Sequence, residues 1–528
     1  MKSLLGRFFS CIIPVWMVTV LLWAGVQPAF AGKKHPFCFP AVDHRWHVRA
    51  PTLEDLQALD RTDFQVLYPG VYTDYEKAAV EQYLADNAAI KERGPVDVHE
   101  LVDNFDAYKE NTPGIGVVID ATEAWVRYQN DKYDPYNPIR WDSDYAKSIG
   151  YEDILAYISF GAHDDTLMIP WPTDIRDKLL VSDLNHSITA YAPIYPGDTL
   201  YLVADEREIL DLTPPQGSTY RSIAIQSKGS LYNQRYEKVC DLIFRVTEAL
   251  SIYADDSIRP EDPGFFDYWE APDWSSREEH YYTEEDWSFI KQVWEQEKIR
   301  GSEPLYWEDV NIGDMPTWTL EGPIYEGNSP TVPWGMGVGG SCSIKTEILT
   351  GKNLDGEDVE LYRSETDGIY YLSPDANAQV PTPPGEADPS PLHGDAGERD
   401  RGAPLTNFTG RDFAIRHITN WMGDYGRLYN ISWSIMDPRS HWKYGKYVVK
   451  NPRAVRYLNQ VPHMKHKFVN EHGLVKDIAL VKSYVTEKKV RDGKFEVKLI
   501  WWIETIEGDI WEEGAATVQL PSKNVNNN

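Results

Sequence analysis

The sequence predicts an α+β protein made of two related halves behind a helical N-terminal segment, and three observations carry that prediction. Apolar and polar residues alternate with the two-residue period of half-buried strands over Thr199–Val203, Tyr220–Gln226 and Val239–Thr247. A strand, helix and strand order, first met between Gly114 and Leu250, recurs from Trp307 onward at a spacing of about 200 residues, as a duplicated unit would. Before about Asn111 the chain is acidic and rich in helix formers, with Asp74–Ala88 predicted as an amphipathic helix.

In chain order, residues 1–31 are predicted to be a secretory signal. Lys2 and Arg7 precede an apolar run from Phe8 to Trp23, and Ala29-Phe30-Ala31 supplies the small-x-small cleavage pattern. The mature chain then begins near Gly32 and is exported, to the periplasm on this reading. The alternative is an uncleaved anchor, against which stand Pro14 within the run and a length short of the roughly 20 apolar residues that span a bilayer. No later segment is apolar enough for a membrane span. Residues 32–111 form an N-terminal cap, 112–256 the first half, 257–302 a packed linker with a helix over Thr283–Lys298, and 303–524 the second half, closed by alternating runs at Phe495–Thr505 and Ala515–Leu520.

The 528 residues carry a formal net charge of −30, which leaves no basic footprint for nucleic acid and discourages polyanionic ligands unless a local basic pocket receives them. Hydrophobic residues at 42% and 19 Trp supply large cores and exclude disorder for most of the chain. Cys11 leaves with the signal; Cys38, Cys240 and Cys342 are an odd number without metal-type spacing and allow at most one disulfide. Cys240, inside the apolar segment Val239–Val246, reads as a buried strand thiol.

Chemistry concentrates in the second half. Val380–Pro391 holds five prolines and runs into Leu392 and His393 to give Asp388-Pro389-Ser390-Pro391-Leu392-His393. A carboxylate and an imidazole presented from one proline-stiffened turn can converge on a single water, one taking its proton while the other orients it or returns a proton. Downstream, Thr409 and Gly410 precede a helix expected over Arg411–Met422 and stopped by Gly423. The first half has an analogous segment, Asp134-Pro135-Tyr136-Asn137-Pro138-Ile139-Arg140, in which arginine stands at the histidine position, so a base is missing there; Asp134 and Asn137 read as caps of a local turn.

The hexad resembles the D-x-N-P-L-H signature of the MaoC-like (hydratase-2) double hot-dog family, with Ser390 in place of Asn. The turn Pro193–Leu200, the hairpin turn Tyr232–Glu237 and the closing segments Gly508–Ile510 and Ala515–Pro521 are similar to that family's closing strands. The resemblance implies two hot-dog domains, each an antiparallel sheet wrapped around a long helix, with chemistry in the second and a degenerate first domain that accommodates substrate. It further implies reversible addition of water to an α,β-unsaturated thioester, Asp388 and His393 holding the water and the Gly410 N–H stabilising the enolate oxygen, with no metal, flavin or nicotinamide. Export conflicts with a coenzyme A ester, so the expected partner is a small unsaturated or hydroxylated molecule, with an acyl thioester kept open, along with homo-oligomers. Two other classes stay open: a non-catalytic exported hot-dog protein that binds an apolar small molecule, and a metal-dependent hydrolase using His463, His466 and His472, or His163 with Asp164 and Asp165.

Overall fold

The computed structural model describes residues 74–162, 179–211, 220–251, 280–324, 343–353, 356–372, 407–435, 476–508 and 510–524. The expected signal segment, Cys38, Cys342 and both histidine clusters lie outside them. Among the described residues, no helix is long and apolar enough to cross a membrane.

Strands β1 (Ile115–Asp120), β2 (Leu179–Ala190), β3 (Thr199–Asp211), β4 (Tyr220–Asn233) and β5 (Lys238–Ser251) make one half of a ten-stranded sheet. The other half contains β6 (Thr319–Glu321), β9 (Arg427–Ile435), β10 (Ala479–Arg491), β11 (Lys494–Glu504) and β12 (Ile510–Gln519), while β7 (Leu361–Arg363) and β8 (Tyr370–Leu372) pair separately. The strand order β1-β3-β4-β5-β2-β9-β12-β11-β10-β6 is a palindrome of equivalents, because β1, β2, β3, β4 and β5 occupy the places of β6, β9, β10, β11 and β12. Both halves meet at the antiparallel β2–β9 seam, in register from His186↔Trp433 to Thr189↔Asn430. Equivalent strands even share an irregularity: β3 bulges between Ala204 and Glu206, β10 between Val485 and Glu487. The duplication expected from the recurring element order is thus written in the topology.

Local chemistry explains the hairpins. Asp492 and Gly493 both adopt positive φ (49° and 74°) between β10 and β11, the left-handed pair that a two-residue turn needs to match strand twist. Between β4 and β5 the Asn233 side chain accepts from the Arg235 and Glu237 N–H groups, each at 3.0 Å, closing the predicted turn. That turn is tied to the predicted Pro193–Leu200 turn by Arg235, whose Nη1 and Nη2 donate to Asp198 at 2.5 and 3.2 Å.

Helix α1 (Asp74–Arg93) continues beyond its predicted end and buries Tyr83, Asn87 and Ile90, spaced along one face; α2 (Val98–Asp103) and α3 (Phe105–Asn111) complete the helical cap. After β1 come α4 (Glu123–Tyr133) and α5 (Ser143–Ser148), and ahead of β6 lies α6 (Glu284–Gln296), opened by a capping box in which Thr283 and Asp286 exchange hydrogen bonds. Trp287 and Trp294 of α6 are buried and donate to the Gly368 and Leu320 carbonyls at 2.7 and 2.9 Å, so this part of the expected linker belongs to the core of the second half. Short α7 (Ser343–Thr350) follows β6, and α8 (Asn407–Met422) crosses the second-half sheet against β9, β10 and β11 and reaches α4. A long helix wrapped by an antiparallel sheet is the hot-dog arrangement. One core runs under the seam, from Leu242 and Ile188 through Ile431 and Trp433 to Trp501. Cys240 is a buried free thiol in β5, as expected, and burial pushes its ionisation up.

Two glycines mark tight packing. A Cβ on Gly514 of β12 would stand 1.9 Å from the Ser432 carbonyl oxygen and 2.6 Å from the Trp501 ring, neither of which can yield. On Gly410 of α8 it would meet chiefly the Glu512 carboxylate, at 1.8 Å, the free end of a flexible side chain. Gly514→Ala is therefore expected to cost more than about 2 kcal/mol and Gly410→Ala distinctly less. Urea midpoints of the two variants check this; equal costs, or the reverse order, would contradict it.

Candidate functional site at the junction of the halves

Residues 410–420 of α8 are buried on every side, yet they include Arg411, Asp412, Arg416 and His417. Removing such charges from water costs several kcal/mol per ion unless partners are built in. Arg411 donates to its neighbour Asp412 at 2.9 and 3.1 Å and stacks its guanidinium over Trp433 at 5.0 Å. Asp412 accepts from Ser159 of the first half at 2.8 Å. Arg416 pairs with Glu297 at 2.8 Å and with Glu321 of β6, while Lys345 of α7 pairs with the same Glu297 oxygen. His417 is pushed down to about 3 by burial and by Arg416, so its ring is neutral, with Thr319 Oγ1 at 3.2 Å from Nδ1 and Ser483 Oγ at 2.8 Å from Nε2.

Against this helix sits the first-half segment Asp134–Arg140. Asp134 ends α4, and Asn137 caps the short 3-10 turn Pro138–Arg140 by accepting from Ile139 N–H at 3.3 Å, as the turn-cap expectation has it. The segment does more than cap. Its first and last side chains converge, Arg140 Nε lying 3.4 Å from Asp134 Oδ2, with both residues buried. Arg140 Nη1 also donates to the Leu155 and Ala156 carbonyls at 3.2 and 2.9 Å, and its guanidinium lies over Tyr157 at 4.6 Å. Burial raises the Asp134 carboxyl against the pull of Arg140. Across the junction, Asn137 Nδ2 donates to Asp424 at 3.1 Å and the Tyr145 hydroxyl to the same carboxylate at 2.6 Å. Tyr136 lies beneath Lys345 and Arg416, 4.7 and 5.6 Å from its ring centre. This copy of the motif is closed by arginine within the first half, and Asn137 ties it to Asp424 of the other half.

Of the residues singled out from sequence, Asp388 and His393 lie outside the described residues. Gly410 was expected just ahead of the helix; α8 begins at Asn407, so Gly410 is its fourth residue and lets the helix approach Glu512 closely. Sequence reasoning missed Arg416, His417, Glu297, Glu321 and Asp424; Arg416 and His417 had only their charge or polarity within a helix flanked by apolar strands as a signal, and the other three had none. It also missed Glu347 of α7, 4% exposed, whose carboxyl is pushed up to about 7 by burial. Among the described residues, no three His, Cys, Asp or Glu side chains are grouped to hold a metal.

No family model matches the chain, and no curated protein matches it in sequence. Solved structures do align. A MaoC domain protein dehydratase from Chloroflexus aurantiacus is 11% identical, covering 78% of this chain and 94% of its own with a TM-score of 0.37. A Mycobacterium tuberculosis protein described as having a double hotdog fold is 9% identical over 77% of this chain and 96% of its own, TM-score 0.33. An oleoyl thioesterase from Lactobacillus plantarum is 5% identical over 78% and 97%, TM-score 0.26.

Two stability measurements probe the junction. Arg140→Ala leaves Asp134 buried without its hydrogen-bonded cation and is expected to lose about 3 kcal/mol in urea unfolding; a loss within error of zero would contradict the buried pair. For Glu347, a folded-state value above the unfolded one means that its contribution is full below pH 4.5 and is lost as pH rises to about 7. Relative to Glu347→Gln, the wild-type protein should therefore lose up to about 3 kcal/mol across that interval, and a difference that does not change with pH would refute it.

Proposed function

We propose that the chain is a hydratase or dehydratase of the MaoC-like kind, working through Asp388 and His393 in its second half. The observation that carries the reading is the behaviour of the first-half motif, whose acid and last residue fold onto each other at 3.4 Å in a buried turn beside α8 of the opposite half. The two motifs hold equivalent places in the chain, the first between β1 and β2 and the second between β6 and β9. A turn of this type, ending in histidine rather than arginine, brings a general base beside a carboxylate.

In this proposal the Asp388–His393 pair takes a proton from water as its oxygen adds to the β-carbon of an unsaturated acyl-type substrate, and a proton is returned at the α-carbon. Charge that develops on the substrate carbonyl oxygen is met by the unpaired N–H groups that open α8, in the turn that Gly410 closes, at the positive end of the helix dipole. Dehydration is the same path reversed. The reading includes export after removal of residues 1–31, and a chain of net charge −30 fits an unsaturated substrate without the phosphates of coenzyme A.

Asp388→Asn and His393→Gln are each expected to lower kcat at least about 100-fold on α,β-unsaturated acids or simple acyl thioesters while leaving the urea midpoint in place. Wild-type rates in both variants would remove the roles of Asp388 and His393, and no turnover by the wild-type protein would leave an exported hot-dog binding protein.

A further inference from the structure

The cap helps to build a second site. The C-terminal end of α1 and the turn Gly94–Val96 wall a groove of about 620 Å³ against β3, β4 and β5 of the first half. Arg93 fixes the wall, donating to the Gly94, Pro113 and Ala204 carbonyls at 2.9, 2.6 and 3.1 Å. The β3 bulge makes Asp205 an extra residue in its strand, and its carboxylate turns onto Ser230 of β4 at 2.5 Å. Ser230 Oγ also lies 3.0 Å from Asp241 Oδ1 of β5.

One hydroxyl hydrogen cannot serve two carboxylates, so for both contacts to be hydrogen bonds one acid must hold a proton. Asp241 already accepts from Lys238 at 2.6 Å and from the Tyr191 hydroxyl at 2.5 Å, which stabilises its charge. Asp205 has no such cation bonded to it, and burial raises its carboxyl. Of the two acids, Asp205 is the one whose charge burial disfavours. The groove sets Lys91, Arg93, Lys228 and Lys238 against Asp205, Glu206 and Asp241, four basic side chains to three acids on a chain of net −30. Lys228 and Lys238 each give one hydrogen bond to a carboxylate, Glu206 at 2.8 Å and Asp241 at 2.6 Å, and keep ammonium hydrogens for a guest.

We propose that this groove binds a small organic anion through a carboxylate or phosphate group held between Lys228 and Lys238, with the cap as its wall. The site is independent of Asp388 and His393. Calorimetric titration of the full chain with inorganic phosphate and with succinate, at ionic strength matched by chloride, tests it and separates the two sources of charge. Saturable binding of either anion is expected, weakened at least about 10-fold in a Lys228→Gln/Lys238→Gln variant whose urea midpoint is unchanged. Asp205→Asn, which fixes the neutral state, should bind at least as tightly as wild type. Heats no larger than the chloride control, equal affinity in the double-glutamine variant, or weaker binding by Asp205→Asn would each overturn the proposal.

Discussion

Everything at the centre of this protein depends on one constraint: residues 410–420 of α8 are buried and carry charge. Each polar or ionised group in it must find its partner inside the fold, and the partners come from different parts of the chain. Glu297 follows α6, Glu321 lies on β6, Ser483 on β10, and Ser159 in the first half. A hydrophobic helix would have packed against the same sheet with less specificity in how the halves are set. Here the orientation is fixed by pairs that become costly when either partner is removed.

The same constraint gives meaning to the duplicated topology. Ten strands arranged as a palindrome bring the halves together edge to edge at β2 and β9, and a single core passes beneath that seam. Each half contributes a loop containing an acid and a few prolines between its first strand and its seam strand. In the first half that loop has become part of the junction, with Arg140 answering Asp134 and Asn137 reaching Asp424. The sequence of the second copy keeps histidine where the first has arginine, a divergence that a duplicated fold permits.

Much of the fold was legible because it rests on short-range chemistry. The capping box at Thr283 and Asp286 and the Asn233 turn are local, and their residues announce them. Strand ends were less legible: the predicted Thr199–Val203 continues to Asp211 as β3, through a bulge and a charged stretch that breaks alternation. The junction was hardly legible at all. Arg416 and Glu297 are 119 residues apart and Asn137 and Asp424 are 287 apart, and no period or spacing within one segment encodes such pairs. Asp134 and Asn137 were readable as turn caps, which Asn137 is, but their second role appears only when the other half is in place. Likewise, the acidic composition concealed a groove where basic side chains from three separate elements gather.

We propose that the Asp388–His393 turn brings its ends together as the first-half turn does. The position of these two side chains in a crystal of the protein tests this. The carboxylate and a ring nitrogen are both expected within about 3 Å of one water site facing the first turn of α8. Side chains that diverge into bulk solvent would contradict it.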